Sequence, residues 1–207
     1  MKHIVTLIRV FFLLLFLFLV INGKMMLWLA LFGSGLIAAV LFGRVYCGYA
    51  CPMNTIMIPT AWLSKKLAWQ TDTSPEWISS EKFGWFALIG SLVLMLSARR
   101  VLDRNLPILL IWLVAALLTT LRYKPSVFHN QICPFGVLQK AFGRFALISK
   151  KVKKEGCIGC TLCEKVCPSN AIIVEKEEKK AEINKEYCFQ CTNCQQICPA
   201  RSIQYTK

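Results

Sequence analysis

Four stretches of nearly unbroken apolar side chains dominate the first 121 residues, and the pattern changes character near residue 150. The runs cover about 4–21, 25–42, 83–98 and 106–121. Each approaches the ~20 residues that an α-helix needs to cross the hydrocarbon core of a bilayer. The first two are separated by Asn22, Gly23 and Lys24 alone, a tight turn that predicts a helical hairpin. No small-residue cleavage site follows the first run, so it is expected to stay as an uncleaved helix. Residues 53–69 are apolar but broken by Pro59, Lys65 and Lys66, which predicts an interfacial or re-entrant helix rather than a span. A polar connection over 70–82 leads to the third run, which Arg99 and Arg100 stop. Pro107 opens the fourth, where a helix tolerates proline.

Beyond residue 150 the pattern is short, charged and rich in cysteine. Ala171 to Val174, a charged turn, and Ala181 to Ile183 predict a small β-hairpin, with Ile203 and Tyr205 on a further strand. The expected architecture is therefore a membrane all-α part of about four spans in two repeated hairpins, followed by a small α+β domain. Its domain boundaries are 1–149 and 150–207.

Composition supports two parts with different solvents. The 207 residues are 56% hydrophobic with a net charge of +14, and the mean hydropathy is +0.50. The cations flank the apolar runs, among them Lys2, Arg9, Arg44, Lys65, Lys66, Arg122, Lys124 and the stretch from Lys150 to Lys154. That is the pattern of the positive-inside rule, and it predicts a multi-pass protein of the inner membrane with both termini and the C-terminal domain cytoplasmic. No helix-turn-helix, zinc-finger or RNA-binding signature accompanies the charge, so no nucleic acid partner is expected. Carboxylates are absent from the apolar runs, which weighs against ion pumping. Gly33, Ser34 and Gly35 are expected to permit close helix packing. Trp28, Trp62, Trp69, Trp77, Trp85 and Trp112 are read as interfacial anchors.

The cysteines carry the chemistry. Cys157-x2-Cys160-x2-Cys163-x3-Cys167-Pro168 is followed by Cys188-x2-Cys191-x2-Cys194-x3-Cys198-Pro199. This is the bacterial-type ferredoxin run, present twice. Three thiolates of one run grip three irons of a cubane, and the fourth, displaced by three residues, reaches the neighbouring cubane. One [4Fe–4S] cluster is thus assigned to Cys157, Cys160, Cys163 and Cys198, the other to Cys188, Cys191, Cys194 and Cys167. Structural zinc sites use paired knuckles instead, and two intact runs ending in Cys-Pro do not fit them.

A second constellation lies beside the apolar runs. Val45-Tyr46-Cys47-x3-Cys51-Pro52 recurs as Val127-Phe128-His129-x3-Cys133-Pro134, each copy after a pair of runs. Repeats of this kind often place a site where the halves meet. Cys47, Cys51, His129 and Cys133 are candidate ligands of a further metal or iron–sulfur centre, soft enough for zinc, copper(I) or iron–sulfur. A purely structural role for these thiols weighs evenly against it. Haem is disfavoured, because His3 and His129 are the only histidines and neither sits mid-span. No phosphate-binding loop points to a nucleotide or flavin.

With both motif sets in view, the chain resembles the NapH-type membrane ferredoxins, quinol-dehydrogenase membrane subunits related to NosR- and CcoG-type iron–sulfur proteins. Cys47, Cys51 and Cys133 map onto that family's paired motifs, while His129 stands where the family has a cysteine. The resemblance implies electron exchange between the quinone pool or a cytoplasmic donor and a partner redox complex. It suggests an electron-transfer subunit of an oxidoreductase complex with no catalytic residue of its own. The basic segment from Lys150 to Lys154 offers an acidic carrier, such as a soluble ferredoxin or flavodoxin, a place to dock. The rival expectation is a metal-reducing or maturation factor that binds metal transiently through Cys47, Cys51 and Cys133.

Overall fold

Helix α1 spans Lys2–Ile21 and α2 spans Met25–Phe42. Both are built from apolar, unbroken sequence, and Gly23 in a left-handed conformation (φ 67°) ends the first. The amide of Gly23 donates to the Val20 carbonyl and that of Lys24 to the Leu19 carbonyl, a Schellman cap. This capping fixes the hairpin turn that Asn22-Gly23-Lys24 predicts. Leu7, Phe11, Leu14 and Phe18 stand exposed along α1, as in a helix whose solvent is lipid. Among the described residues, three helices are long and apolar enough to cross a membrane, those over His3–Ile21, Met25–Phe42 and Lys82–Val101. The fourth expected span is a shorter apolar helix, Ile108–Arg122.

The computed structural model describes residues 2–71, 75, 78, 80, 82–101, 107–175 and 177–206. Trp77, Arg104, Leu106 and most of the connection over 72–81 lie outside the described residues. The chain forms two compact units that cut across the boundary at residue 150. One comprises Met1–Cys51 with Gln139–Lys207, the other Pro52–Leu138.

In the first unit the hairpin is closed by an aromatic ladder. Phe16 meets Trp28 edge-on at 5.1 Å, Trp28 approaches Tyr46 at 6.4 Å, and Phe32 meets Tyr46 at 5.2 Å. Trp28 is 1% exposed and so is a packing residue, not an interfacial anchor. Of the expected small-residue contact, only Gly35 carries it. A Cβ there would press on the Tyr46 ring, whereas Gly33 faces open space.

The C-terminal part of this unit is α+β. Strand β1 (Ser149–Val152) pairs antiparallel with β4 (Ile203–Thr206), setting Val152 opposite Ile203. Strand β2 (Ile172–Val174) pairs with β3 (Ala181–Ile183), setting Val174 opposite Ala181. The basic stretch from Lys150 therefore begins as a strand rather than a linker, because Ile203 and Tyr205 need a partner edge. Cys163, Ile172, Ala181, Cys194 and Ile203 form the buried core.

In the second unit, α3 (Pro52–Lys66), α4 (Lys82–Val101) and α5 (Ile108–Arg122) pack together. The Ser64 hydroxyl donates to the Leu121 carbonyl at 2.6 Å, tying α3 to α5. The indole N–H of Trp112 donates to Ser91 at 3.0 Å, tying α5 to α4. Trp112 is therefore engaged in helix packing, while Trp62, Trp69 and Trp85 are exposed as surface anchors require.

Candidate iron–sulfur site

Two left-handed positions recur in both C-terminal cysteine segments, and the first has a third at Thr161 (φ 60°). In the first run the recurring two are Gly159 (φ 67°) and Asn170 (φ 53°); in the second, at the same offset of thirty-one residues, Gln190 (φ 56°) and Arg201 (φ 49°). In the first run the loop so formed brings Cys157, Cys160 and Cys163 to one cavity. At Gly159 a side chain is also sterically barred, since a Cβ would overlap the Lys179 carbonyl oxygen.

Cys157, Cys160, Cys163 and Cys198 line a single cavity, together with Ile158, Val174 and Ile203. This is the set that the first-run spacing assigns to one cubane, with its fourth member drawn from the second run. The other four lie near enough for ionisation to be coupled: an ionised Cys191 or Cys167 would raise the thiols of Cys188 and Cys194, and an ionised Cys167 that of Cys191. All eight are free thiols. Among the described residues, no three His, Cys, Asp or Glu side chains converge closely enough to hold a single ion. A cubane asks for a wider arrangement, with one thiolate on each of four irons.

The donor chemistry fits such a cluster. Backbone N–H groups already point at sulfur, from Ala171 to Cys167 Sγ at 3.2 Å and from Ala181 to Cys157 Sγ at 3.4 Å. The Ser202 hydroxyl lies 3.4 Å from Cys198 Sγ. Although burial raises the Cys198 thiol, the Ser202 hydroxyl and the amides of Ser202, Ala200 and Arg201 together outweigh it and the net shift is downward. Burial pushes Cys188 and Cys194 the other way, each up to about 12. These thiols keep their protons in the apo protein, so binding iron must release them.

The two motifs beside the apolar helices share one backbone form. Tyr46–Ala50 and Phe128–Ile132 are both single π-helical turns. Each turn ends in an extended cysteine, with φ −72° and ψ 117° at Cys51 and φ −66° and ψ 117° at Cys133. Pro52 and Pro134 then open the next helices, α3 and α6 (Pro134–Gly143). The cysteine amide closes each turn on the fifth residue back, at 2.9 Å to Tyr46 and 2.8 Å to Phe128. Isolated π-turns of this kind recur at functional sites.

Cys47 and Cys51 fall in the first unit, His129 and Cys133 in the second. Cys47 is buried, which raises its thiol, and the Arg44 guanidinium at 3.8 Å works against that rise. Cys133 Sγ accepts the Gly136 amide at 3.3 Å. His129 is 1% exposed and meets the Phe128 ring edge-on at 5.7 Å.

Sequence reasoning reads Arg9, Arg44 and Lys150 as boundary charges. All three are buried. Arg44 stacks on Phe189 at 4.9 Å, and the Arg9 guanidinium donates to the Gly48 carbonyl at 2.8 Å. The signal was present in the sequence, because Arg9 interrupts an apolar run instead of ending one.

Comparison with known proteins agrees with this chemistry. Residues 156–202 match the 4Fe-4S dicluster domain model. A 4Fe-4S binding domain model matches twice, over 24–70 and 105–155, and each match contains one π-turn motif. An uncharacterized protein of Methanocaldococcus jannaschii is 32% identical over 68% of this chain and 58% of its own length. The methylamine utilization ferredoxin-type protein MauN of Methylobacillus flagellatus is 26% identical over 77% of this chain and 62% of its own. MauN of Paracoccus denitrificans is 26% identical over 68% and 53%. The chain thus spans somewhat over half the length of these relatives. No solved structure matches it. The chain carries 4Fe–4S ferredoxin-type domains and is homologous to the MauN-type ferredoxin proteins.

Proposed function

We propose that this protein is an inner-membrane electron relay that moves single electrons through two [4Fe–4S] clusters to or from a partner redox complex. The clusters are held by Cys157, Cys160, Cys163 and Cys198 and by Cys188, Cys191, Cys194 and Cys167. When bound, each supplies reversible one-electron storage at a potential set by hydrogen bonds to sulfur, burial and nearby charge. The chain supplies the N–H donors from Ala171 and Ala181, and buries Cys188, Cys191 and Cys194 while leaving Cys160 exposed. The observation that carries this reading is the single cavity lined by three cysteines of the first run and the last of the second. That is the crossed arrangement two adjacent cubanes require.

Three long apolar helices support a membrane setting, and the basic flanks support a cytoplasmic ferredoxin domain. The role is that of the NapH-type membrane ferredoxins, exchanging electrons between quinone or a soluble carrier and a larger assembly. Cys47, Cys51, His129 and Cys133 extend it as a candidate third centre, favoured by two matches to a 4Fe-4S binding model. The test is anaerobic purification from membranes with iron, sulfide and EPR analysis. About eight irons per chain are expected from the two ferredoxin runs, and about four more if the membrane motifs hold a cubane. Zinc in place of iron, or disulfides among the eight thiols, overturns the reading. Cys133→Ala should remove only the additional signal, and its survival would exclude the third centre.

A further inference from the structure

The two ferredoxin loops are near copies, and the second one is docked on the hairpin of its own unit. Its tip, Phe189 and Gln190, lies between Cys188 and Cys191. The Tyr49 hydroxyl donates to the Gln190 carbonyl at 3.2 Å, and a Cβ on Gly48 would overlap the Phe189 carbonyl oxygen. Arg9 of α1 reaches the same spot, donating from Nε to the Gly48 carbonyl at 2.8 Å. Gln190 takes the left-handed conformation that Gly159 supplies in the first loop, and its side-chain oxygen accepts the Lys150 amide at 3.0 Å. A non-glycine residue pays a conformational penalty there, and the contact with β1 offsets it. Lys150 Nζ then donates to Gln195 at 2.8 Å, one residue beyond Cys194.

Resting on the two-cluster reading above, we propose that Arg9 sets the potential of the cluster held by Cys167, Cys188, Cys191 and Cys194. That cluster is the one next to the membrane hairpin. Reduction of a cluster adds one negative charge without a proton, and a fixed cation nearby favours the reduced form. Arg9 is 9% exposed and Lys150 is 4% exposed, so solvent screens them weakly. Arg9 is held on the Gly48 carbonyl, against the Phe189 carbonyl between Cys188 and Cys191, and Lys150 Nζ is held on Gln195 beside Cys194. The other set, Cys157, Cys160, Cys163 and Cys198, lines the separate cavity described above. The cation placed on that set is Lys180, half-buried, which donates to the Cys157 carbonyl at 2.7 Å. An arginine inside an apolar helix is costly in lipid, and this contact gives it a function.

The experiment is an EPR-monitored redox titration of the full chain, purified anaerobically in detergent, with Cys188→Ser identifying which signal belongs to which cluster. Arg9→Gln should lower the midpoint of the cluster that Cys188→Ser abolishes and leave the other midpoint in place. Arg9→Lys should return it toward the wild-type value, and Lys180→Gln should move only the other cluster. Arg9→Met, which an apolar helix accommodates, serves if the glutamine variant does not accumulate. Equal shifts in both midpoints, no shift with iron content intact, or accumulation of the lysine variant alone each overturn the proposal. A wild-type protein without two cluster signals instead refutes the two-cluster reading on which it rests.

Discussion

Gly48 sits where the first unit has no space for a methyl group. The atom it would strike is the carbonyl oxygen of Phe189, which is backbone and cannot rotate away. Gly48→Ala should therefore cost about 1–3 kcal/mol, the usual range for forced overpacking, and lower the midpoint of thermal unfolding in detergent. Gly84→Ala meets a methyl of Val137, a side chain stiff at χ1, and the Gln131 carbonyl oxygen, and should also lower the unfolding midpoint on the same measurement. Among the thiols, Cys163→Ser and Cys188→Ser should each remove about four irons, one cluster's worth, and abolish different EPR signals. The protonated state of the buried thiols has a further consequence. With Cys188 and Cys194 pushed up to about 12, lowering the pH makes their protons harder to displace. Reconstitution of apo protein with iron and sulfide should fall as the pH drops from about 8 to about 6, read by visible absorbance.

At the scale of elements, two internal repeats organise the chain, and they differed in how far the sequence disclosed them. The offset of eighty-two between Cys51-Pro52 and Cys133-Pro134 is plain in the letters, but the π-turn both copies adopt is not. Nothing in Tyr46–Ala50 or Phe128–Ile132 distinguishes i→i+5 bonding from an ordinary helical turn. The cysteine runs likewise announce themselves. Their matching left-handed residues do not, since one pair is Gly159 and Gln190 and the other Asn170 and Arg201. Strands β2 and β3 were legible from alternation, and β4 from Ile203 and Tyr205. The partner of β4 was hidden because Lys150 and Lys151 look like a charged linker. The β1–β4 pair also anchors the hairpin, for the Tyr205 hydroxyl donates to the Phe42 carbonyl at 2.9 Å and the Ile148 amide to Leu41 at 2.9 Å. Deleting residues 203–207 should free β1 and open the 143–153 segment to trypsin in limited proteolysis, while α1 and α2 stay protected by the detergent micelle.

Over the whole molecule, hydropathy alone indicated the helices that could enter a bilayer, and it set their ends to within a few residues. It did not indicate the grouping into units. Apolar runs report which side chains avoid water, but the contacts of Arg9, Arg44 and Tyr49 depend on which surface the ferredoxin domain presents to them. Topology gives a direct check. Lys185 is exposed on the ferredoxin domain. A Lys185→Cys variant should react with an impermeant maleimide in inside-out vesicles and resist it in intact spheroplasts.

The first unit draws on both ends of the chain, Met1–Cys51 and Gln139–Lys207, with the second unit encoded between them. A ribosome adding about 5–20 residues per second delivers the opening hairpin seconds before the segment that covers Gly43, Gly48 and Arg44. The hairpin contacts made by Phe189, Gln190 and Tyr205 can therefore form only once nearly all of the chain has been made. A nascent chain stalled or truncated before Gln139 lacks Phe189, on which Arg44 stacks, and Gln190, which packs at Gly43, so the buried face of the hairpin stays uncovered.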